Sequence, residues 1–180
     1  MRVITISGKA EAGKDTAAKL LKTQLEDSGY SVLITHYADL LKYICRQFFD
    51  WNGKKDEVGR TLLQKVGTEG VRVKNPDYWV KFIINILEFF PNDWDYVLIP
   101  DTRFPNEVNL MKEKFSSVSV NIVRDGYENH LTPEQRLHAS ETALDDFNFD
   151  YTIHNVGNMD DFNSAVAEFV IALNLKGEDI

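Results

Sequence analysis

Short apolar segments alternate with amphipathic ones along most of the chain. Residues 2–7 (RVITIS) are rich in β-branched side chains and are followed at once by glycine, which is typical of a buried parallel strand. Between residues 14 and 26, four apolar side chains recur at helical spacing: Ala17, Leu20, Leu21 and Leu25. The pattern predicts a strand, a glycine-containing turn and a helix at the start of the chain.

The same alternation continues along the chain. Four more strands are predicted, at SVLITHY, WDYVLIPD, VSVNIVR and DYTIHN. Helices are predicted at residues 39–49, within RTLLQKVGTEGVR, from near Pro76 to residue 90, at 104–115, within TPEQRLH and at 159–173. Strands that alternate with helices indicate an α/β domain with a parallel sheet covered on both faces, and ligands bind such sheets at the carboxyl ends of the strands.

Two of these helices carry more detailed expectations. The helix that starts near Pro76 is expected to pack four side chains against the core: Trp79, Phe82, Ile83 and Ile86. The segment TPEQRLH has the pattern of a capped helix start, with Thr132 as the cap, Pro133 at the first position and Gln135 reaching back.

The composition is that of an ordinary globular domain. The 180 residues, 43% hydrophobic and 27% charged, suffice for one compact core, and no linker divides them, so we expect a single domain over residues 1–180. The net charge of -8 argues against a nucleic-acid coat protein, and a lone cysteine, Cys45, excludes an internal disulfide or a Cys-rich zinc site. The N-terminal apolar stretch is too short for a signal peptide or a membrane span. We therefore expect a cytoplasmic protein without a membrane or nucleic-acid partner.

The turn after the first predicted strand matches a phosphate-binding loop. Gly8, Gly13 and Lys14 have the spacing G-x-x-x-x-G-K, with a strand before them and a helix after them. In such a loop, backbone N–H groups and a helix N-terminus point at one small volume, and the lysine adds positive charge. The alternative is a glycine-bearing turn that binds no ligand. The expected ATP-binding residues are Gly8, Ala12, Gly13, Lys14, Asp15 and Thr16.

Asp15 stands where this kind of loop usually has a Ser or Thr that helps to hold magnesium. A carboxylate suits the first turn of a helix, and Mg²⁺ accepts carboxylate oxygens, so we interpret Asp15 as a metal-side residue and Thr16 as a contact of a phosphate oxygen. The alternative is that Asp15 only caps the helix. Asp101, which ends the third predicted strand, is the second candidate for holding Mg²⁺.

Arginines follow the predicted strands at the same edge of the sheet. Arg103 comes just after the third strand, where the alternative is a surface salt bridge with Glu107. Arg124 ends the fourth strand, and Arg136 lies in the short helix beyond it. Phosphoryl transfer depends on positioning and on positive charge, so a mobile lid over about residues 124–140 that carries both arginines fits this chemistry. The alternative is a solvated loop.

Five segments, in this order, resemble the deoxynucleoside monophosphate kinases found mostly in phages: SGKAEAGKDTAA, YADLLK, LLQKVGTEGVR, DTRFPNE and HASETALDDFNFDYTIHN. The similarity extends from Arg2 to about Ala167, and the G-K-D-T form of the loop recurs in that family. Animal-type phosphomevalonate kinases are related and share the G-K-D loop and the D-T-R strand end. The resemblance implies a three-layer P-loop NTPase fold with a five-stranded parallel sheet, ATP as donor, Mg²⁺ and a small phosphate-bearing acceptor.

The resemblance also implies an acceptor-binding insertion over about residues 50–76, with Thr68 and Glu69 among its polar side chains. Trp79 and Tyr78 are candidates for stacking on a base, against the alternative that they belong to the core. Lys42, Arg72 and Arg103 would hold the acceptor phosphate. The implied acceptor-binding residues are Lys42, Arg60, Gln64, Arg72, Trp79 and Arg103, and the implied catalytic residues are Lys14, Asp101, Arg124 and Arg136.

Three acidic or basic side chains stay without an assigned chemical role. His138 and Glu141 match the family pattern near the lid, and Glu11 lies inside the phosphate loop. A carboxylate is unusual beside phosphates, so the side chain of Glu11 must point outward for the loop interpretation to hold.

The expected function is ATP- and Mg²⁺-dependent phosphoryl transfer to (deoxy)nucleoside monophosphates, in the host cytoplasm if the chain is phage-encoded. One alternative is a P-loop kinase of another small phosphorylated acceptor, such as phosphomevalonate. The other is a non-catalytic nucleotide-binding switch, although the N-K-x-D segment of guanine-reading switches does not occur. The sequence does not indicate which base or sugar is accepted, and it leaves open whether the protein forms a homodimer.

Overall fold

A computed structural model describes residues 1–175 of the chain. Five strands form one sheet in the order β2-β3-β1-β4-β5, and every pairing in it is parallel. This confirms the predicted five-stranded parallel sheet. The strands are β1 Arg2–Ser7, β2 Val32–Ile34, β3 Tyr96–Ile99, β4 Val118–Val123 and β5 Tyr151–His154.

Helices connect the strands and follow the last one. They are α1 Lys14–Asp27, α2 Ala38–Phe48, α3 Glu57–Gln64, α4 Tyr78–Phe89, α5 Pro105–Phe115, α6 Pro133–Leu137, α7 Ala139–Thr142 and α8 Met159–Leu175. The capping box predicted for Thr132 and Gln135 is present at the start of α6. The short helix α7 was not expected from the sequence.

A π-helix, Lys65–Arg72, continues directly from α3. Its wider turns are illustrated by the amide of Val73, which donates to the carbonyl of Thr68 at 3.1 Å, five residues back. Such a segment is rare, and it is found most often at functional sites. The sequence predicts a helix here but gives no sign of its pitch.

Two apolar layers cover the faces of the sheet. Because strand side chains alternate between the faces, Ile4 and Ile6 of β1 pack with α1 and α8, whereas Val3 packs with α2 and α4. Phe162 of α8 and Met111 of α5 are fully buried in the two layers. The predicted three-layer arrangement is confirmed.

The packing of α4 differs from the prediction. The helix begins at Tyr78, and its buried residues are Trp79, Val80, Ile83, Ile84 and Leu87. Phe82, expected in the core, is 38% exposed, and Ile86 is only partly buried. Lys81, Asn85 and Glu88 mark the outer face of this helix at helical spacing, and Phe82 lies at the edge of that face, so the expectation for Phe82 was wrong.

The second strand is shorter than predicted. It ends at Ile34. Beyond it, the amides of Tyr37 and Ala38 donate to the two carboxylate oxygens of Asp101, each at 2.9 Å. The strand therefore ends three residues earlier than the apolar pattern suggests, whereas α2 begins within one residue of the predicted start. Within residues 1–175, no helix is long and apolar enough to cross a membrane.

Candidate active site

The carboxyl ends of β1, β2 and β3 meet at one edge of the sheet, where clefts adjoin the loop of residues 8–13, and two of them are lined by Lys14. The first, here the central cleft, has a volume of about 360 Å³ and lies between this loop, the start of α2 and the π-helix. The second, here the outer cleft, has a volume of about 410 Å³ and lies between the start of α1 and the start of α8. Glu11, Lys14 and Asp15 line both clefts. The two spaces therefore meet at the loop.

The loop is packed closely against β4 and against the residue that follows β5. Gly8 and Gly13 have positive φ angles of 140° and 103°, which favour glycine, and α1 begins at the next residue, Lys14. A Cβ atom on Gly8 would lie 2.4 Å from the carbonyl oxygen of Ile122 in β4. From the other side, the side-chain amide of Asn155 donates to the carbonyl of Ala12 at 2.9 Å. The start of α1 thus lies at the outer cleft, and a helix N-terminus is a favourable place for a phosphate group.

Lys14 bends back over the loop. Its ammonium donates to the carbonyls of Gly8 and Lys9, at 2.7 and 2.8 Å, and the side chain is buried. Burial, followed by the nearby charge of Arg103, lowers the pKa of Lys14 to about 7, while Glu141 and other carboxylates oppose the shift. The lysine is thus a poorly solvated cation, for which an incoming polyanion is a favourable partner.

We expect proton uptake when a triphosphate binds beside Lys14. The pKa of the free site is about 7, and negative phosphates favour the charged ammonium, so the pKa rises in the complex. At pH 8 the lysine is mostly neutral before binding and protonated afterwards, so binding takes up as much as about one proton. Calorimetry of ATP binding in buffers with different ionisation enthalpies measures this number. The same uptake in Lys14→Ala would contradict the assignment to Lys14.

Asp15 lies in the first turn of α1, but its carboxylate does not cap that helix in the described part of the chain. Its Oδ1 contacts Nε2 of His36 at 3.1 Å, and Nδ1 of His36 contacts Asp39 at 3.3 Å. The hydrogen bond with His36 lowers the pKa of Asp15 and raises the pKa of His36. His36 is a site residue that the sequence reasoning missed, since a single histidine after a strand carries no pattern.

The two candidate carboxylates for magnesium differ in their surroundings. The side chain of Asp15 is 66% exposed beside the loop, whereas both oxygens of Asp101 already accept backbone amides at the start of α2. Among residues 1–175 there is no group of three or more His, Cys, Asp or Glu side chains that could hold a metal. Mg²⁺ usually keeps several waters and takes one or two carboxylates together with substrate phosphates. The pair therefore fits a Mg²⁺ ion that arrives with a polyphosphate.

The central cleft brings together the residues predicted to bind an acceptor. Trp79 is buried in α4, and its indole N–H donates to the carbonyl of Gly67 at 3.1 Å, so the ring forms a wall of the cleft. Lys55 also lines the cleft and was missed, because a lysine in a polar insertion has no distinctive spacing. Burial and the charge of Lys42 lower the pKa of Lys55. The predicted residues in the lining are Lys42, Arg60, Gln64, Arg72, Trp79 and Arg103, together with Lys14, Asp15 and Asp101.

Arg103 does not pair through its side chain with Glu107, the alternative considered from the sequence. Its guanidinium donates to the carboxylate of Glu141 and to the carbonyl of Ser140, the latter at 3.0 Å, and only its backbone amide donates to Glu107. The other oxygen of Glu141 accepts the amide of Ala10 at 3.0 Å. Glu141, left without a role by the sequence, thus joins α7, the loop and Arg103.

The segment predicted as a lid lies against the loop. Arg124 is stacked over the ring of Tyr127 at 4.0 Å and donates to the carbonyl of Glu11 at 3.3 Å. Arg136 instead donates to the carbonyls of Leu131 and Asn129, at 3.1 and 2.7 Å, and does not line the clefts. The structure therefore brings Arg124 to the site, whereas Arg136 braces the segment itself.

Glu11 has a φ angle of 64°, and its carboxylate is held by the lid segment. It accepts from the hydroxyl of Tyr127 at 2.9 Å, contacts Nδ1 of His130 at 2.9 Å and lies 3.5 Å from Arg60. The hydrogen bond with His130, with further help from Tyr127, lowers the pKa of Glu11 to about 2. In the described contacts the carboxylate does not accept from the amides of the loop, but Glu11 lines both clefts, so the outward direction expected of its side chain stays a prediction.

Sequence comparisons identify a family and two curated relatives. The family model described as "Deoxynucleotide monophosphate kinase" matches residues 34–166. The deoxynucleotide monophosphate kinase of Enterobacteria phage T4 is 32% identical over 110 residues, 59% of this chain and 43% of the relative. That of Escherichia phage RB69 is 28% identical over 113 residues, 62% of this chain and 44% of the relative. The chain thus spans less than half the length of these relatives.

Two solved kinase structures have a similar fold. The Mycobacterium tuberculosis APS kinase CysC in complex with AMPPNP and APS matches with a TM-score of 0.55 and 11% identity, over 96% of this chain and 97% of that one. Shikimate kinase from Aquifex aeolicus vf5 matches with a TM-score of 0.52 and 12% identity, over 99% of each chain. At these identities the similarity shows the fold alone, an α/β fold that the chain shares with these two proteins.

Proposed function

The chain belongs to the deoxynucleotide monophosphate kinase family, and from this we propose that it transfers a phosphoryl group from ATP to a (deoxy)nucleoside monophosphate. The observation that carries the proposal is the meeting of the two clefts at Lys14. A donor in the outer cleft and an acceptor in the central cleft would share the space over the loop. We propose that this takes place in the cytoplasm, where both nucleotides occur.

In the proposed reaction, an oxygen of the acceptor phosphate forms a bond to the γ-phosphorus of ATP, and the bond from that phosphorus to the β-phosphate oxygen breaks. The acceptor phosphate is already ionised at neutral pH, so the chain does not need to remove a proton from it. What remains is positioning of the two nucleotides and neutralisation of charge.

The residues of the two clefts divide these tasks. Amides of the loop and the first turn of α1 would hold the donor phosphates, and Lys14 would follow the transferred group. Arg72 and Arg103 would hold the acceptor phosphate from the opposite wall. Arg124 and the lid segment would cover the donor and keep water out. A bound Mg²⁺ ion would neutralise phosphate charge, with Asp15 and Asp101 as the residues that hold it.

The lining of the central cleft favours a nucleotide over other phosphorylated acceptors. Apolar side chains face the cleft on the side away from the loop, among them Leu41, Leu63 and Trp79. Gln64 and Thr68 add polar groups beside this apolar wall. A flat base with polar edges matches such a wall better than an acyclic acceptor does.

The proposal predicts that ADP forms only when a suitable monophosphate is added. Coupled ADP release is measured with ATP, Mg²⁺ and a panel of acceptors: the deoxynucleoside and ribonucleoside monophosphates, phosphomevalonate and no acceptor. We expect turnover with one or more of the nucleoside monophosphates, and none with phosphomevalonate or without an acceptor. ATP hydrolysis that is indifferent to every monophosphate would indicate a switch, and turnover with phosphomevalonate alone would indicate the other kinase class.

Replacing Asp15 by serine tests its assignment to the metal side. Serine is a weaker magnesium ligand than a carboxylate, so the Mg²⁺ concentration for half-maximal activity is expected to rise about 5-fold to 20-fold. The measurement is the Mg²⁺ dependence of ADP formation at saturating nucleotides. Asp27→Ser, at the far end of the same helix, is the matched control and should leave this dependence unchanged. Because a serine hydroxyl could itself hold Mg²⁺ at this place, the exclusion uses alanine: an unchanged dependence in Asp15→Ala would remove Asp15 from the metal site.

A further inference from the structure

Arg72 is held by groups from several parts of the fold. Its Nη1 donates to the carbonyl of Pro76 at 2.9 Å and to the side chain of Asn106 at 3.3 Å, and its Nη2 donates to the carboxylate of Glu107. The guanidinium also lies over the ring of Phe104, with its central carbon 3.8 Å from the ring centre. Although the side chain is only 11% exposed, it lines the central cleft. A flexible arginine is thus fixed at the wall of this cleft.

Glu107 is the charged member of this arrangement. It lies in the first turn of α5 and is 2% exposed. Its Oε2 accepts the amides of Arg103 and Phe104, at 2.7 and 3.1 Å, and its Oε1 accepts from Arg72. One oxygen therefore shapes the turn after β3, while the other orients an arginine.

The position of this carboxylate is energetically demanding. Burial raises the pKa of Glu107 to about 7, against the opposing charge of Arg72, and Asp101 adds to the increase. The buried hydroxyl of Tyr37 also lies nearby, 3.5 Å from the carbonyl of Glu107. Buried ion pairs are often no more stable than apolar replacements of similar volume, so stability alone does not account for a carboxylate at this place.

We propose that Glu107 is a positioning residue that fixes the guanidinium of Arg72 for the phosphate of the acceptor. The inference rests on the proposed function, since it assumes that the central cleft takes the acceptor. Arginine has five N–H donors, and three hydrogen bonds within the described chain occupy Nη1 and part of Nη2. The remaining donors are the N–H of Nε and one N–H of Nη2. They are available to a phosphate, which arginine binds well through paired donors.

Glu107→Gln separates the two tasks of the carboxylate. The glutamine oxygen can still accept the amides of Arg103 and Phe104, so the turn is kept. Its NH₂ group then faces Nη2 of Arg72, donor against donor, and the charge that orients the guanidinium is lost. We expect the KM for the monophosphate to rise about 10-fold to 100-fold, because a small displacement of a positioning group has effects of this size. The KM for ATP should stay within about twofold, since loop contacts are unchanged.

The control and a double variant show whether Glu107 acts through Arg72. Glu88→Gln removes an exposed carboxylate 3.6 Å from Lys114 and should leave both KM values unchanged. In an Arg72→Gln background, adding Glu107→Gln should change the monophosphate KM by less than about twofold. Independent, additive losses would overturn the inference, as would an unchanged monophosphate KM in Glu107→Gln.

If Glu107→Gln does not fold, Glu107→Asp provides a second test of the inference. It keeps the charge but withdraws the carboxylate from Arg72 by about 1 Å, so the monophosphate KM should still rise about 10-fold while the KM for ATP does not. A variant that melts earlier but keeps the wild-type monophosphate KM would show a purely structural role and overturn the inference.

Equilibrium binding separates this inference from the proposed reaction. Each of dAMP, dCMP, dGMP and dTMP is titrated into the wild type and into Glu107→Gln by calorimetry. If the wild type binds a monophosphate but does not transfer phosphate to it, the proposed reaction fails. Weaker binding to Glu107→Gln then still supports the positioning role, and equal binding overturns it. A wild type that binds none of the four, and none of the ribonucleoside monophosphates titrated in the same way, overturns both.

Discussion

Lys14→Ala should abolish measurable phosphoryl transfer, with kcat reduced by about 100-fold to 1,000-fold or more. Lys14 is the cation that lines both clefts, and its ammonium is held over the loop by the carbonyls of Gly8 and Lys9. In the proposed reaction it neutralises charge on the group in transit. ADP formation with a saturating monophosphate measures the effect.

The fold should survive this change. Burial lowers the pKa of Lys14 to about 7, so the folded chain is already a poor environment for its charge at neutral pH. Removing the side chain should lower the free energy of unfolding by no more than about 1 kcal/mol. Lys19→Ala, at an exposed position of the same helix, is the control for both measurements. Retained turnover in a folded Lys14→Ala variant would remove the phosphate-loop assignment.

Gly8→Ala should have the largest effect on stability, a decrease of about 3 kcal/mol in the free energy of unfolding. The φ angle of 140° is strained for any residue with a Cβ atom, and this Cβ would lie 2.4 Å from the carbonyl oxygen of Ile122. A backbone oxygen inside the sheet cannot move away as a side chain can. The loop itself must shift, so phosphate binding should be lost as well. Urea-induced unfolding and calorimetric ATP titration measure the two effects.

Gly29→Ala is the matched control for this prediction. Gly29 also has a positive φ angle, 89°, but a Cβ atom there would have no neighbour within 4 Å. Its replacement should cost only the backbone strain, about 1 kcal/mol. If the two variants are equally stable, the contact between Gly8 and β4 is not what restricts the loop.

The strands and most helices could be predicted because each is marked by local periodicity. β1 and α1 are recognisable from apolar spacing alone, and the parallel orientation of the strands follows from the alternation of strands and helices. The meeting of Asp15, Asp101 and Arg103 at one edge of the sheet could also be predicted, because each follows the carboxyl end of a strand or the loop beside it.

What the sequence does not reveal depends on contacts between distant residues. Glu141 pairs with Arg103 across 38 residues, and no local pattern indicates this. The carboxylate of Asp101 accepts the amides of Tyr37 and Ala38 at the start of α2, because the chain that follows β2 turns away from the sheet beside Asp101. Phe82 was misplaced because it lies at the edge of the face that Lys81, Asn85 and Glu88 expose, where spacing alone does not decide burial.

Where the fold only brings a side chain close to the candidate site, the role assigned to that side chain remains a prediction. Lys42 and Arg60 line the central cleft, as expected for acceptor binding, but proximity does not establish contact with a ligand. Arg136 shows the opposite case, since its donors are used by the carbonyls of Leu131 and Asn129. For Arg136, a role in bracing the segment agrees better with the structure than direct contact with phosphate.

The widened turns of the π-helix make the length of that segment as consequential as its composition. Arg72 stands at its end, and the direction of its side chain depends on how far the backbone has rotated since Gln64. Deleting one residue would let ordinary α-helical pitch resume and swing Arg72 away from Glu107. Evolutionary drift can therefore exchange many side chains between residues 65 and 72, whereas insertions and deletions there are expected to be rare.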